Sequence, residues 1–169
     1  MEHGEGGGGA AAAWEHALRA LARRPLSENE LRGALARGGH AAEDVEAAAL
    51  RLREAGHLDD RRLAEQVVAA HARRGHALSR AEQELARRGV EPRAIEAALD
   101  ELRRLGTPLP ALGERLAALL AAERAPLDSR ALRRVYNRLL RAGFPQPEVH
   151  AALEPHFLRR AADDDDDVP

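Results

Sequence analysis

Residues 84–99 read ELARRGVEPRAIEAAL, and the same phrase is written twice more, as ALARGGHAAEDVEAAA at 34–49 and RLLRAGFPQPEVHAAL at 138–153. Each copy holds a glycine at its sixth place (Gly39, Gly89, Gly143), a leucine four residues earlier and Val or Ile six residues later. A glycine in that place can take the left-handed conformation that ends a helix. Asp44, Glu91–Pro92 and Gln146–Pro147 then open another helix, because proline in a first turn sacrifices no hydrogen bond. Each phrase therefore predicts a turn between two helices.

The residues ahead of each phrase extend the pattern. The only serines are Ser27, Ser79 and Ser129, each just before the helix that leads into one copy. Ser27 precedes Glu30, and Ser79 precedes Glu82, at the spacing of a reciprocal Ser–Glu cap. Asp128–Ser129 offers the same cap without the Glu. A further helix lies upstream of each pair, at about 11–24, 60–74 and 110–124, ended by Pro25, Gly75 and Pro126. Strand signals are missing, since β-branched residues are few and do not alternate with polar ones.

The expected fold is all-α: a tandem array of three three-helix repeats, elongated and curved, with the glycines 50 and 54 residues apart. The boundaries are a disordered glycine-rich N-terminus at 1–10, repeats at 11–56, 57–106 and 107–160, and a disordered acidic tail at 161–169.

Composition agrees with thin helical layers. Of the 169 residues 44% are apolar, but much of that is alanine, and Leu, Ile, Val and Phe make up only about a fifth of the chain. The aromatics are Trp14, Tyr136, Phe144 and Phe157, with Tyr136 and Phe144 expected in the core of the third repeat. Absence of cysteine excludes disulfides and thiolate metal sites and is compatible with the cytoplasm. No apolar run is long enough to span a membrane, and no secretory signal opens the sequence. The net charge of −2 hides an asymmetry, because Glu2, Glu5 and Asp163–Asp167 leave a body of about +5. All its basic residues are arginine, which in part reflects G+C-rich coding.

The ordered part of the chain resembles the RecX family, regulators of the RecA recombinase. The second repeat carries G-H-L-D-D (Gly56–Asp60), R-x-A-E (Arg62–Glu65), V-x-x-x-x-R-R-G (Val68–Gly75) and S-R-A-E-Q-E-L-x-x-x-G-V (Ser79–Val90). The first carries A-L-x-x-L-A-R-R-P-x-S-E-x-E-L-R (Ala17–Arg32), and the third R-R-V-Y-x-R-L-L-R-A-G-F (Arg133–Phe144). The likeness covers about 14–158. It departs where the family has aromatics and this chain has Leu63 and Val67, and where a glycine-basic stretch is replaced by Gly75-His-Ala-Leu. The resemblance implies a non-enzymatic protein that binds the RecA filament on DNA, lies along its groove and reduces strand exchange, ATPase and coprotease activity.

Independently of the family, Arg130, Arg134, Arg138 and Arg141 stack on one face of a helix at 129–142, opposite Leu132, Val135 and Leu139. Such a stripe reads either as a solvated face or as a surface for acidic groups, which planar guanidinium binds in pairs. Arg73 and Arg74 end another helix, Arg80, Arg87 and Arg88 extend the basic patch, and Arg87–Arg88 are expected to point outward. These nine arginines are the candidate partner-binding residues. Sparse aromatics argue against a base-stacking platform, so weak direct DNA contact is expected beside the protein partner.

Asp59–Asp60 are read as helix caps, and His71 and His76 as surface residues, since neither H-E-x-x-H nor a phosphate loop occurs. With all three serines read as caps, no nucleophile–base pair can be assembled. The expectation is a monomer without catalytic activity, cofactor or metal. The rival readings are a direct DNA-binding protein and a helical scaffold for another partner. The acidic tail reads as a solvated end, or as an intramolecular competitor for the arginines.

Overall fold

The computed structural model describes residues 6–107, 110–123 and 127–165, with side chains described from 8 to 158 within those spans. The described residues form nine helices and no strand. They are α1 (Gly6–Arg23), α2 (Glu28–Arg37), α3 (Ala42–Glu54), α4 (Asp60–Arg73), α5 (Leu78–Arg87), α6 (Pro92–Arg104), α7 (Leu112–Ala122), α8 (Ser129–Arg141) and α9 (Gln146–Asp165).

The three phrases are three copies of one helix ending. Gly39, Gly89 and Gly143 have φ of +80°, +74° and +93°. After them, His40, Val90 and Phe144 each donate a backbone N–H back to Leu35, Leu85 and Leu139, at 3.3, 3.1 and 3.2 Å. The glycines themselves donate to Ala36, Ala86 and Leu140. This double closure is the Schellman motif, which satisfies carbonyls that the helix end leaves without partners. The leucine of each phrase is fully buried, and Val45, Ile95 and Val149 are buried as well. Leucine and the β-branched residue thus hold the two helices together on either side of the turn.

Two of these glycines also have to be small. A Cβ on Gly89 would run into the side chain of Asn29, and one on Gly143 would lie 2.8 Å from Cβ of Arg80. Beside them, the Ser27 hydroxyl donates to the carbonyl of Arg88 at 2.5 Å and the Ser79 hydroxyl to that of Gly143 at 2.9 Å. The first turn of one repeat's second helix therefore seats on the glycine turn of the repeat that follows.

The contacts divide the chain into two compact units. One comprises residues up to 68 together with 83–105, and the other 69–82 together with 106 onward. The middle repeat of the sequence contributes to both. In the first unit α1, α2 and α3 pack pairwise around Ala17, Leu31, Leu35 and Leu52, with Trp14 half-buried under the guanidinium of Arg51 at 4.4 Å. In the second, α7, α8 and α9 pack pairwise around Leu132, Val135, Leu139, Phe144 and Leu153. Phe144 is buried and Tyr136 packs half-buried against the same core, as the sequence leads one to expect.

The capping chemistry follows the sequence at Ser27 and departs from it at Ser79. Ser27 accepts the N–H of Glu30 at 3.0 Å while the Glu30 carboxylate accepts the N–H of Ser27 at 3.0 Å. Asp128 caps α8 by accepting the N–H of Ala131. The expected Ser79–Glu82 cap does not form. Helix α5 begins at Leu78, so Ser79 already lies within its first turn and spends its hydroxyl on Gly143.

At the chain ends, the stretch 1–10 expected to be disordered is helical from Gly6 onward, and Gly9 uses its missing side chain to pass Asp44 of α3. Residues 161–165 of the expected disordered tail continue α9, since extending an existing helix adds a hydrogen bond per residue. Residues 1–5 and 166–169, and the expected stop at Pro126, lie outside the described residues.

Candidate functional site

The arginines that the sequence groups together take up different tasks. Arg88, expected to point outward, is drawn inward and only 16% of its side chain is exposed. Its guanidinium donates from Nε and Nη2 to the Glu30 carboxylate at 3.1 and 3.0 Å, and from Nη2 to the Pro25 carbonyl at 2.8 Å. Glu30 also receives Arg24, at 2.9 and 3.1 Å. Burial pushes the Glu30 carboxyl up, but hydrogen bonds from Arg24, the Ser27 backbone and Arg88 outweigh it and bring the group down to about 2. The cause is local: the Glu30 that closes the α2 cap lies beside the carbonyl-rich end of α5. Its neighbour Arg87 stays exposed, with Nε donating to Gln83 at 3.3 Å.

The second compact unit carries the α8 stripe. On α8, Leu132, Val135 and Leu139 face the core, so Arg130, Arg134, Arg138 and Arg141 are left exposed on the opposite face. The stripe is not uniform. Arg134 donates to Glu123 at 2.6 Å, and this bond, the largest influence on Glu123, holds its carboxyl below the ordinary range. Arg138 stands 3.9 Å from the same carboxylate. Farther along α8, Arg138 and Arg141 line a cleft of about 490 Å³ together with Arg80 of α5, Arg115 of α7 and His76. Leu119 and Ala142 complete its wall, which carries no carboxylate among the described residues.

The positions around this cleft are fixed by backbone contacts. Arg80 donates from Nη1 to the carbonyl of Arg141, and the adjacent Ala77 N–H donates to that of Ala142 at 2.9 Å. The end of α4 closes through His76 N–H to the His71 carbonyl at 3.0 Å, which brings the two imidazoles together with their Nδ1 atoms 3.0 Å apart. His71 is buried, contrary to the surface placement expected for it, because the Schellman closure of α4 folds its own C-terminal residues against it. Burial holds the His76 imidazole below its ordinary value, and His71, Arg80, Arg74 and Arg115 add to the effect.

Arg115 was not among the residues that the sequence singles out. The signal was its spacing: Leu112, Arg115 and Leu119 share one helical face, so a charge stands where the apolar pattern calls for a core residue. Its Nε is buried without a hydrogen-bond acceptor. Of the nine candidate arginines, the structure thus brings Arg80, Arg138 and Arg141 into one site and leaves Arg73, Arg74 and Arg130 exposed in the same unit. Arg87 and Arg88 belong to the other unit.

Among the described residues no group of three or more His, Asp and Glu could hold a metal ion. Asp59 caps α4 by accepting the N–H of Arg62 at 2.9 Å, as expected, whereas Asp60, the first residue of α4, reaches across to accept the N–H of Glu28 at the start of α2 at 2.9 Å. None of the described helices is long and apolar enough to cross a membrane.

Comparison with known proteins adds three findings. Residues 13–52 match the first three-helix domain of RecX, and residues 59–99 match its second. The "Regulatory protein RecX" of Halorhodospira halophila is 35% identical over 165 residues, covering 96% of each chain, and that of Trichlorobacter lovleyi is 39% identical over 142 residues, covering 82% of this chain and 91% of the relative. Among solved structures, RecX from Lactobacillus salivarius matches with a TM-score of 0.61 at 16% identity, covering 90% of this chain and 99% of that one.

Proposed function

This chain belongs to the RecX family, and from that premise we propose that it binds the RecA–DNA filament and lowers its strand-exchange, ATPase and coprotease activities. Membership makes it a regulatory protein. The observation that supports the finer reading is the 35% identity to a RecX regulatory protein over 96% of both chains.

The structure supports an electrostatic docking surface on the second unit. Arg138 and Arg141 of α8, Arg80 of α5 and the exposed Arg73, Arg74 and Arg130 supply it; Arg87, exposed on the first unit, is a separate contact. Arg134 contributes less, because Glu123 already pairs with it, and Arg88 is excluded by its internal bonds. Charges of this kind, each exposed and worth little alone, act together by steering and by orientation. The protein acts as a monomer, without catalysis or cofactor, by obstructing filament extension and the partners that need the groove.

The test is DNA-dependent ATP hydrolysis by RecA with substoichiometric amounts of this protein, alongside filament disassembly. Inhibition by well under one copy per RecA subunit is expected. No inhibition together with unchanged disassembly would overturn the proposal. Binding to bare DNA that needs no recombinase and falls steeply with salt would instead establish the direct DNA-binding reading.

A further inference from the structure

We infer that the cleft bounded by Arg80, Arg115, Arg138 and Arg141 is a binding site for a small phosphate polyanion of the phosphomonoester or diphosphate class. This inference is independent of filament binding.

Three observations carry it. First, the guanidinium groups come from three helices and converge on one space of about 490 Å³, whereas a merely solvated stripe would spread along one helix. Second, the described residues that line the space include four arginines and a histidine and no carboxylate, so the fold holds like charges together there. Glu123, which Arg134 engages at 2.6 Å, stands 3.9 Å from Arg138. Third, the Nε of Arg115 is buried and has no acceptor. A buried donor without a partner is rare and costly, so the fold holds the Arg115 cation at this wall without a partner for that atom.

The charge on the ligand follows from the charge on the wall. A single carboxylate brings one negative charge and two oxygens to four guanidinium groups. A phosphomonoester brings about −1.5 to −2 and three strongly accepting oxygens, which match several guanidinium forks at once. A phosphodiester within a nucleic-acid strand has lost one of those charges, so an end group or a free diphosphate fits better than an internal phosphate. His76 completes the site as a reporter. Its imidazole faces His71, Arg80, Arg74 and Arg115, whose positive fields disfavour its proton, and an anion bound among them would reverse that influence.

The experiment uses the full chain at fixed ionic strength, titrated with sodium pyrophosphate by calorimetry while the imidazole signal of His76 is followed by NMR and assigned through His76→Asn. Saturable one-to-one binding is expected, with the titration of His76 moving upward in pH on saturation. Arg115→Gln and Arg141→Gln should each weaken binding at least about tenfold, or about 1.4 kcal/mol, while Arg19→Gln in the other unit leaves it unchanged. Matched thermal melts establish that each variant is folded, and if one is not, the other decides. A nucleoside diphosphate should compete with pyrophosphate, which would identify a free nucleotide as a source. Competition by a 5′-phosphorylated oligonucleotide but not by its unphosphorylated form would identify a strand end. Absence of saturable binding, an equal response to sodium acetate, or binding that survives both arginine substitutions in folded protein would overturn the inference.

Discussion

Replacing Arg88 by alanine should destabilise the protein by about 2 kcal/mol at neutral pH, and the loss should shrink in acid. The substitution removes two guanidinium bonds to Glu30 and one to the Pro25 carbonyl. A carboxyl held at about 2 in the fold, against an ordinary 4.5, carries roughly 3 kcal/mol at pH 7 if the whole displacement is counted. Arg24, half exposed to solvent, and the Ser27 N–H share that effect, and screening reduces it, which leaves Arg88 on the order of 1 kcal/mol. The lost bond to the Pro25 carbonyl, which Arg24 still reaches at 3.1 Å, adds about 0.5–1 kcal/mol more. The sign with pH follows from the depressed carboxyl. Its stabilisation is complete above 4.5, the ordinary value, and is lost as pH falls toward about 2. Urea denaturation of wild type and Arg88→Ala at pH 7 and pH 3 measures both quantities. A loss below about 0.5 kcal/mol at pH 7, or an equal loss at the two pH values, would show that Arg88 is an ordinary surface arginine and refute the reasoning.

Other consequences are open to the same kind of measurement. Ser27→Ala, which removes both a helix cap and the bond to Arg88, should cost about 2–3 kcal/mol, whereas Ser79→Ala, which loses only the bond to Gly143, should cost about 1 kcal/mol in chemical denaturation. Gly39→Ala meets nothing within 4 Å and should cost the left-handed penalty alone, about 1 kcal/mol; Gly143→Ala must also displace Arg80 and should lower the melting temperature distinctly further. His76 is held below 6.5 by burial and its cationic neighbours, so below pH 6.5 the unfolded chain takes up a proton that the fold resists. Stability should therefore fall as pH drops from 7 to 5, and His76→Asn should flatten that part of the profile in thermal melts.

The repeat architecture was legible in the sequence because its signals are local. Leu35, Leu85 and Leu139 stand four residues before a glycine, and that spacing alone specifies a buried leucine, a left-handed turn and the start of another helix. The second role of Gly89 and Gly143, as seats for Asn29 and Arg80, was hidden, since it depends on residues more than fifty positions away. The same distinction explains Ser79: its spacing to Glu82 matches a cap, but its hydroxyl finds the Gly143 carbonyl and the helix begins at Leu78, two residues before the start that such a cap implies.

For the arginines the lesson is sharper, because a sequence with 26 basic residues, all arginine, gives no local means of telling a clamp from a contact. Arg87 and Arg88 are adjacent and chemically identical, yet one is exposed and the other locked onto Glu30, 58 residues earlier. What separates them is helical phase: a step of one residue on α5 turns the side chain by about 100°, from solvent toward the α2 cap. Arg115 shows the converse, a cation at an apolar-phase position whose stem is carried inward while its head reaches a cleft shared with Arg80, Arg138 and Arg141. In a chain this rich in arginine, then, the informative positions are those that break the apolar phase of their helix. A charge on the polar face needs no reason beyond solubility. A charge on the buried face must be compensated by the fold, as Arg88 is by Glu30, and where the fold offers no acceptor, as at the Nε of Arg115, the position is the one to test for a ligand.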